Sequence, residues 1–145
     1  MIVRVFITGF LLLVFFFSVS ASVDTISVFS KKMNKSIKVV VIKPRLNKKL
    51  PVVYLLHGHG GNYAAWLKDA PQLQQKASEA EAILVMPDGG YNSWYFDSPI
   101  DPTVKYESFI TKELIPYIDS AYTTIPNKEH RAITGLSMGG HGAFY

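Results

Sequence analysis

The chain has 145 residues, of which 48% are hydrophobic, 18% charged and 13% aromatic; this composition admits one globular domain and excludes a disordered or collagen-like chain. It has no cysteine, which rules out a disulfide scaffold, a thiolate zinc site and a cysteine nucleophile together. The formal net charge of +4 is unevenly placed: residues 22–50 carry eight Lys or Arg against Asp24 alone, whereas residues 51–145 carry six against ten acids.

The first segment holds five of the nine Phe before residue 18. Arg4 precedes an apolar run from Val5 to Phe17, followed by Ser18-Val19-Ser20-Ala21, small residues where a signal peptidase needs them. The run is roughly 13 residues long where a bilayer-spanning helix needs about 20. The pattern predicts a signal peptide over 1–21, cleaved after Ala21. It leaves an exported domain, periplasmic or extracellular, over 22–145 with no stable membrane anchor.

Val23 to Ser30 and Ser36 to Lys43 read as two strands around a turn at Met33-Asn34-Lys35, an antiparallel hairpin. Ile37, Val39 and Val41 share one face of the second strand. Its lysines are expected on an edge strand, where they discourage edge-to-edge pairing. A nucleic-acid surface would need a continuous basic stripe with aromatics, so no nucleic-acid partner is expected. Val52 to Leu56 is an unbroken apolar run rich in β-formers, suited to a strand buried on both faces. Tyr63 to Ala80 is helical in composition with an interruption at Pro71, and Ala82 to Met86 is a second buried strand. Tyr91 to Pro102 reads as a loop. From Val104 to about Tyr122, apolar residues recur at helical spacing, and Pro116 predicts a kink or break. Arg131 to Thr134 is a short strand, and Met138 opens a helix. A hairpin followed by β-α-β-α-β-α predicts an α/β fold with a mostly parallel central sheet and helices on both faces.

The chemistry concentrates at two strand ends. Gly135-Leu136-Ser137-Met138-Gly139 is a G-x-S-x-G motif between a strand and a helix, the context in which such a turn presents a serine as nucleophile. The flanking glycines are needed because the turn brings backbone segments close together. The helix that follows points N–H groups and its positive dipole end at a nascent oxyanion. The bland alternative is a Gly-rich turn with a capping serine. His57-Gly58-His59-Gly60-Gly61 ends the first buried strand, where an α/β hydrolase supplies its second oxyanion donor. A His57-x-His59 metal pair completed by a carboxylate competes with this reading, but no further histidine stands at a plausible spacing before His130. His57 is therefore read as a hydrogen-bonded histidine holding the loop, and His59 as acting through its backbone N–H. Asp88 with Gly89-Gly90 reads as a turn beside the site. Trp94 and Tyr95 are candidates for a substrate pocket, with a packing role equally open.

Four ordered blocks, Val53 to Asn62, Met86 to Tyr95, Glu113 to Ile118 and Gly135 to Ala143, resemble the esterase D-like group of α/β hydrolases. This group includes S-formylglutathione hydrolases, tributyrin-type esterases, feruloyl and acetylxylan esterases and mycolyltransferases. The resemblance runs from about residue 24 to the last residue. It implies an α/β-hydrolase fold and a secreted esterase that cleaves small-molecule or polysaccharide-linked esters through an acyl-enzyme on Ser137. The backbone N–H groups of Met138 and His59 would form the oxyanion hole, and no metal or cofactor is implied. An acyltransferase to a sugar acceptor and an inactive exported fragment are the alternatives. In this fold the acid and the histidine follow the serine. Asp88, Asp97 and Asp101 precede it, His141 lies on the serine's own helix, and His130 lies at the opposite end of the strand. The triad partners are expected beyond residue 145, which makes the chain the N-terminal part of a longer reading frame, inactive and poorly stable alone.

Overall fold

The computed structural model describes residues 21–145; the predicted signal peptide, apart from Ala21, lies outside the described residues. Strands β1 (Ser22–Ser30) and β2 (Lys35–Lys43) form the expected antiparallel hairpin, with Ser22 opposite Lys43 and Ser30 opposite Lys35. Asn34 turns the chain with φ of 49°. The turn is pinned from outside: the Ser30 hydroxyl accepts the Met33 N–H and donates to the Glu113 carboxylate.

β3 (Val52–Leu56), β4 (Ile83–Pro87) and β5 (Arg131–Gly135) complete a five-stranded sheet in the order β1-β2-β4-β3-β5. β3 pairs in parallel with both β4 and β5, and β2 runs antiparallel to β4. The edge-lysine expectation fails here. β2 lies between β1 and β4, with Val39, Val40, Val41 and Ile42 all buried, and the lysine-free β1 is the edge.

Helices α1 (Ala65–Asp69) and α2 (Leu73–Glu79) connect β3 to β4. The β4-to-β5 connection runs through α3 (Tyr106–Ser108), a π-helical segment (Phe109–Leu114) and α4 (Ile115–Ala121). β4 lies on one side of β3 and β5 on the other, so the two crossovers travel in opposite directions. Right-handed connections then put their helices on opposite faces. The core is divided accordingly. Trp66, Leu67, Leu73 and Ala77 pack over Val40, Ile42, Leu84 and Met86; Phe109, Ile110, Leu114 and Ile118 pack over Val39, Val41, Tyr54 and Val85 on the other face.

Pro116 neither breaks nor ends this connection. The helical turns are continuous, and the residues ahead of Pro116 widen into the π-helical segment. A wide turn is one way a helix accommodates a residue that cannot donate a backbone hydrogen bond. The Asp119–Arg131 ion pair, at 2.6 Å, ties the end of α4 to the start of β5. After β5, Ser137 leads into α5 (Met138–Phe144). The carboxyl ends of β3, β4 and β5 thus deliver the three segments 57–61, 88–98 and 136–138 to one edge of the sheet, at the switch point where ligands bind in open α/β sheets.

Candidate active site

Ser137 sits at φ 53°, ψ −112° between β5 and α5, and its side chain makes no capping hydrogen bond. A serine in this region is strained, so the strand-to-helix turn holds the hydroxyl in an exposed position rather than satisfying it as a helix cap. The glycines flanking it are needed for space, and neither has a positive φ. A Cβ on Gly139 would stand 2.2 Å from the Leu56 carbonyl oxygen, and one on Gly135 would stand 2.4 Å from the Gly139 carbonyl carbon. β3, β5 and the first turn of α5 meet there backbone to backbone.

The 57–61 loop lies against this elbow. A Cβ built on Gly58 would be 3.3 Å from the Leu136 carbonyl oxygen and 3.7 Å from the Ser137 Cβ. Gly60, at φ 73°, donates its N–H to Tyr91 O. The Gly61 N–H returns to Gly58 O. Within the backbone network of the described residues, the His59 and Met138 N–H groups have no acceptor, while Gly139 N–H is bonded to Leu136 O. The N–H groups of Gly58, Ser137 and Gly140 likewise have no acceptor in that network.

His57 is buried, and both ring nitrogens are engaged: Nδ1 with Gly58 O at 2.8 Å and Nε2 with the Gly89 N–H at 2.8 Å. Only a neutral ring with its proton on Nδ1 makes both bonds. Its Nε2 is therefore an acceptor, and the 3.9 Å approach to Asp88 is a contact of a neutral ring with a carboxylate. The ring ties the 57–61 loop to the turn after β4, in which Asp88 accepts the Gly90 N–H.

The structure separates Trp94 from Tyr95. Trp94 is exposed, edge-on to His141, whose Nδ1 bonds Trp94 O at 2.8 Å. Tyr95 is 2% exposed, which removes it from the pocket lining and makes it a packing residue. Its ring fills the space that side chains at Gly89 and Gly142 would need. Burial pushes its phenol above the usual tyrosine range, keeping it protonated. Sequence reasoning left this role open; the signal was the pair of glycines that face the ring from distant positions.

No histidine ring among the described residues is hydrogen-bonded to the Ser137 hydroxyl. His57 is fully engaged, His141 turns to Trp94, His130 bonds Asn127, and His59 lies edge-on to Tyr91. Next to the elbow, a cavity of about 40 Å³ is lined by Gly58, Trp66, Asp69 and Leu136. A second cavity, of about 400 Å³, is lined by His59, Gly60, Gly61, Asn62, Lys68 and Asp69.

The sequence model of the esterase family matches residues 30–145. The chain belongs to the esterase family. It is 31% identical over 129 residues to an acetyl esterase of Caldicellulosiruptor saccharolyticus, covering 81% of this chain and 47% of that protein. Among solved structures, a ferulic acid esterase superposes with a TM-score of 0.74 at 35% identity, over 86% of this chain and 52% of that one. An S-formylglutathione hydrolase from Agrobacterium tumefaciens superposes with a TM-score of 0.76 at 22% identity, over 88% and 53%; at that identity the likeness concerns the fold, which is that of the α/β hydrolases. The chain spans between 14% and 47% of the length of the curated relatives it matches.

Proposed function

We propose that this protein is an exported serine esterase that cleaves carboxylic or thioesters through an acyl-enzyme on Ser137. The observation that carries this reading is the strained, uncapped Ser137, with the Met138 N–H beside it at the start of α5 and the His59 N–H on the glycine loop set against it, neither with a backbone acceptor. Ser137 Oγ attacks the ester carbonyl carbon, and the carbonyl oxygen takes up negative charge between the N–H groups of Met138 and His59. The alcohol leaves with a proton, and water then releases the acid and restores the serine. Trp94 borders the substrate. Family membership and the names of the relatives support ester chemistry; the apolar N-terminal segment supports export. No imidazole ring of residues 21–145 is hydrogen-bonded to the Ser137 hydroxyl.

The test is hydrolysis of p-nitrophenyl acetate and butyrate by the protein made from its intact reading frame, alongside Ser137→Ala. The variant should fall at least 1,000-fold, to background, as expected for loss of a nucleophile (about 10⁶ in kcat in a well-studied serine protease). Equal rates would overturn the assignment. Acyl transfer to an added sugar that outpaces hydrolysis would make the protein a transferase. Residues 21–145 alone should hydrolyse at background, because none of their imidazoles is bonded to Ser137 Oγ, and a robust rate from them would overturn that expectation.

A further inference from the structure

The two proposed oxyanion donors stand on different elements: His59 on the loop after β3 and Met138 at the start of α5. Something must fix their separation, because a donor displaced by a few tenths of an ångström from the developing oxyanion loses much of its effect. Tyr95 touches both sides. Its hydroxyl accepts the His57 N–H at 2.9 Å and lies 3.3 Å from the His57 carbonyl oxygen, to which it donates. One side chain thus holds both backbone polar groups of a residue two positions before the His59 donor. The other end of Tyr95 abuts α5: a Cβ on Gly142, four residues after Met138, would stand 2.5 Å from the Tyr95 Cβ. Gly89 lies over the ring in the same way, at 2.2 Å.

The backbone of Tyr95 is itself held in a costly state. Trp94 and Tyr95 both have positive φ, 54° and 59°; two bulky residues in succession there are strained. The Ser93 hydroxyl accepts the Tyr95 N–H at 3.0 Å, and the Phe96 N–H returns to Ser93 O. Strain of this kind persists where the surroundings over-determine the conformation, and here the result is an inward-pointing Tyr95 wedged between loop and helix.

We propose that Tyr95 is a positioning residue, a spacer that sets the distance between the two oxyanion donors without touching substrate. This inference rests on the esterase reading. Its test uses the intact protein with p-nitrophenyl acetate and compares wild type, Tyr95→Phe and Gly142→Ala. Tyr95→Phe keeps the ring and releases the His57 peptide; Gly142→Ala keeps the hydroxyl and pushes the spacer from the helix side. Both should lower kcat at least tenfold and change KM less than twofold. The rate of Ser137 phosphonylation by a fluorophosphonate, which also places charge in the oxyanion hole, should fall in parallel. Thermal midpoints identify any variant that fails to fold, in which case the other decides. A folded variant with unchanged kcat, or one whose loss lies in KM alone, overturns the spacer role. Absence of Ser137-dependent turnover in the wild type would instead overturn the esterase reading, so the two failures are distinct.

Discussion

Ser137, like Trp94 and Tyr95, is held at positive φ. Its φ of 53° with ψ of −112° belongs to backbone space that glycine enters freely and a side chain enters at about 1–3 kcal/mol. A serine is kept there despite the cost, as expected where geometry serves chemistry. Ser137→Gly should therefore be more stable than Ser137→Ala by about 1 kcal/mol, after allowing about 0.5–1 kcal/mol for the extra chain entropy of glycine. Both variants lose the hydroxyl, so the difference isolates the backbone, and urea midpoints measure it. A Gly variant equal to or weaker than Ala would mean that the elbow is not strained. The motif announced this residue in the sequence because G-x-S-x-G encodes a local turn. Tyr95 was not announced, because its partners lie 38 and 47 positions away in the chain, at His57 and Gly142.

Among the elements, α5 shows how adjacent glycines can have opposite requirements. A Cβ at Gly139 would meet the Leu56 backbone at 2.2 Å, whereas at Gly140 the nearest atom is Gly135 O at 3.4 Å, an ordinary contact. Gly140→Ala should be neutral or stabilising by up to about 1 kcal/mol through helix propensity. Gly139→Ala should cost several times that, since two backbones must separate. Denaturation of the two variants side by side checks this, and equal effects would show that the close packing of α5 on β3 is not needed. Strand and helix positions were readable from periodicity: Val52–Leu56 and Ile83–Pro87 are apolar throughout because both faces are covered. The interior place of β2 was harder to read. Lys38 between Ile37 and Val39 looks like an edge, and only pairing with β4 reveals that Val40 and Ile42 are buried as well. The π-helical segment was equally hidden, since Pro116 signals a missing donor without saying whether the helix bends, breaks or widens.

At the scale of the described residues, both sheet edges expose apolar side chains. On the outward face of β1, Val23 and Phe29 stand with Thr25 and Ser27. β5 leaves Ala132, Ile133 and Thr134 exposed, and Leu136 (59%) and Phe144 (97%) stand exposed near it. An unpaired strand edge beside apolar side chains is a template for pairing with another chain. Residues 21–145 in solution should therefore self-associate with rising concentration, measurable by light scattering or sedimentation. Charge offers a competing cause, since residues 22–50 carry eight basic residues against one acid and residues 51–145 have an excess of four acids. Salt separates the two: attraction between oppositely charged regions weakens as the Debye length falls from about 10 Å at 0.1 M to about 3 Å at 1 M, whereas pairing through β5 persists. Ile133→Lys places a solvated charge in the centre of the edge and should suppress association without unfolding the chain, because Ile133 is already 38% exposed. Association that dissolves in salt and ignores Ile133→Lys would move the contact from β5 to the basic hairpin.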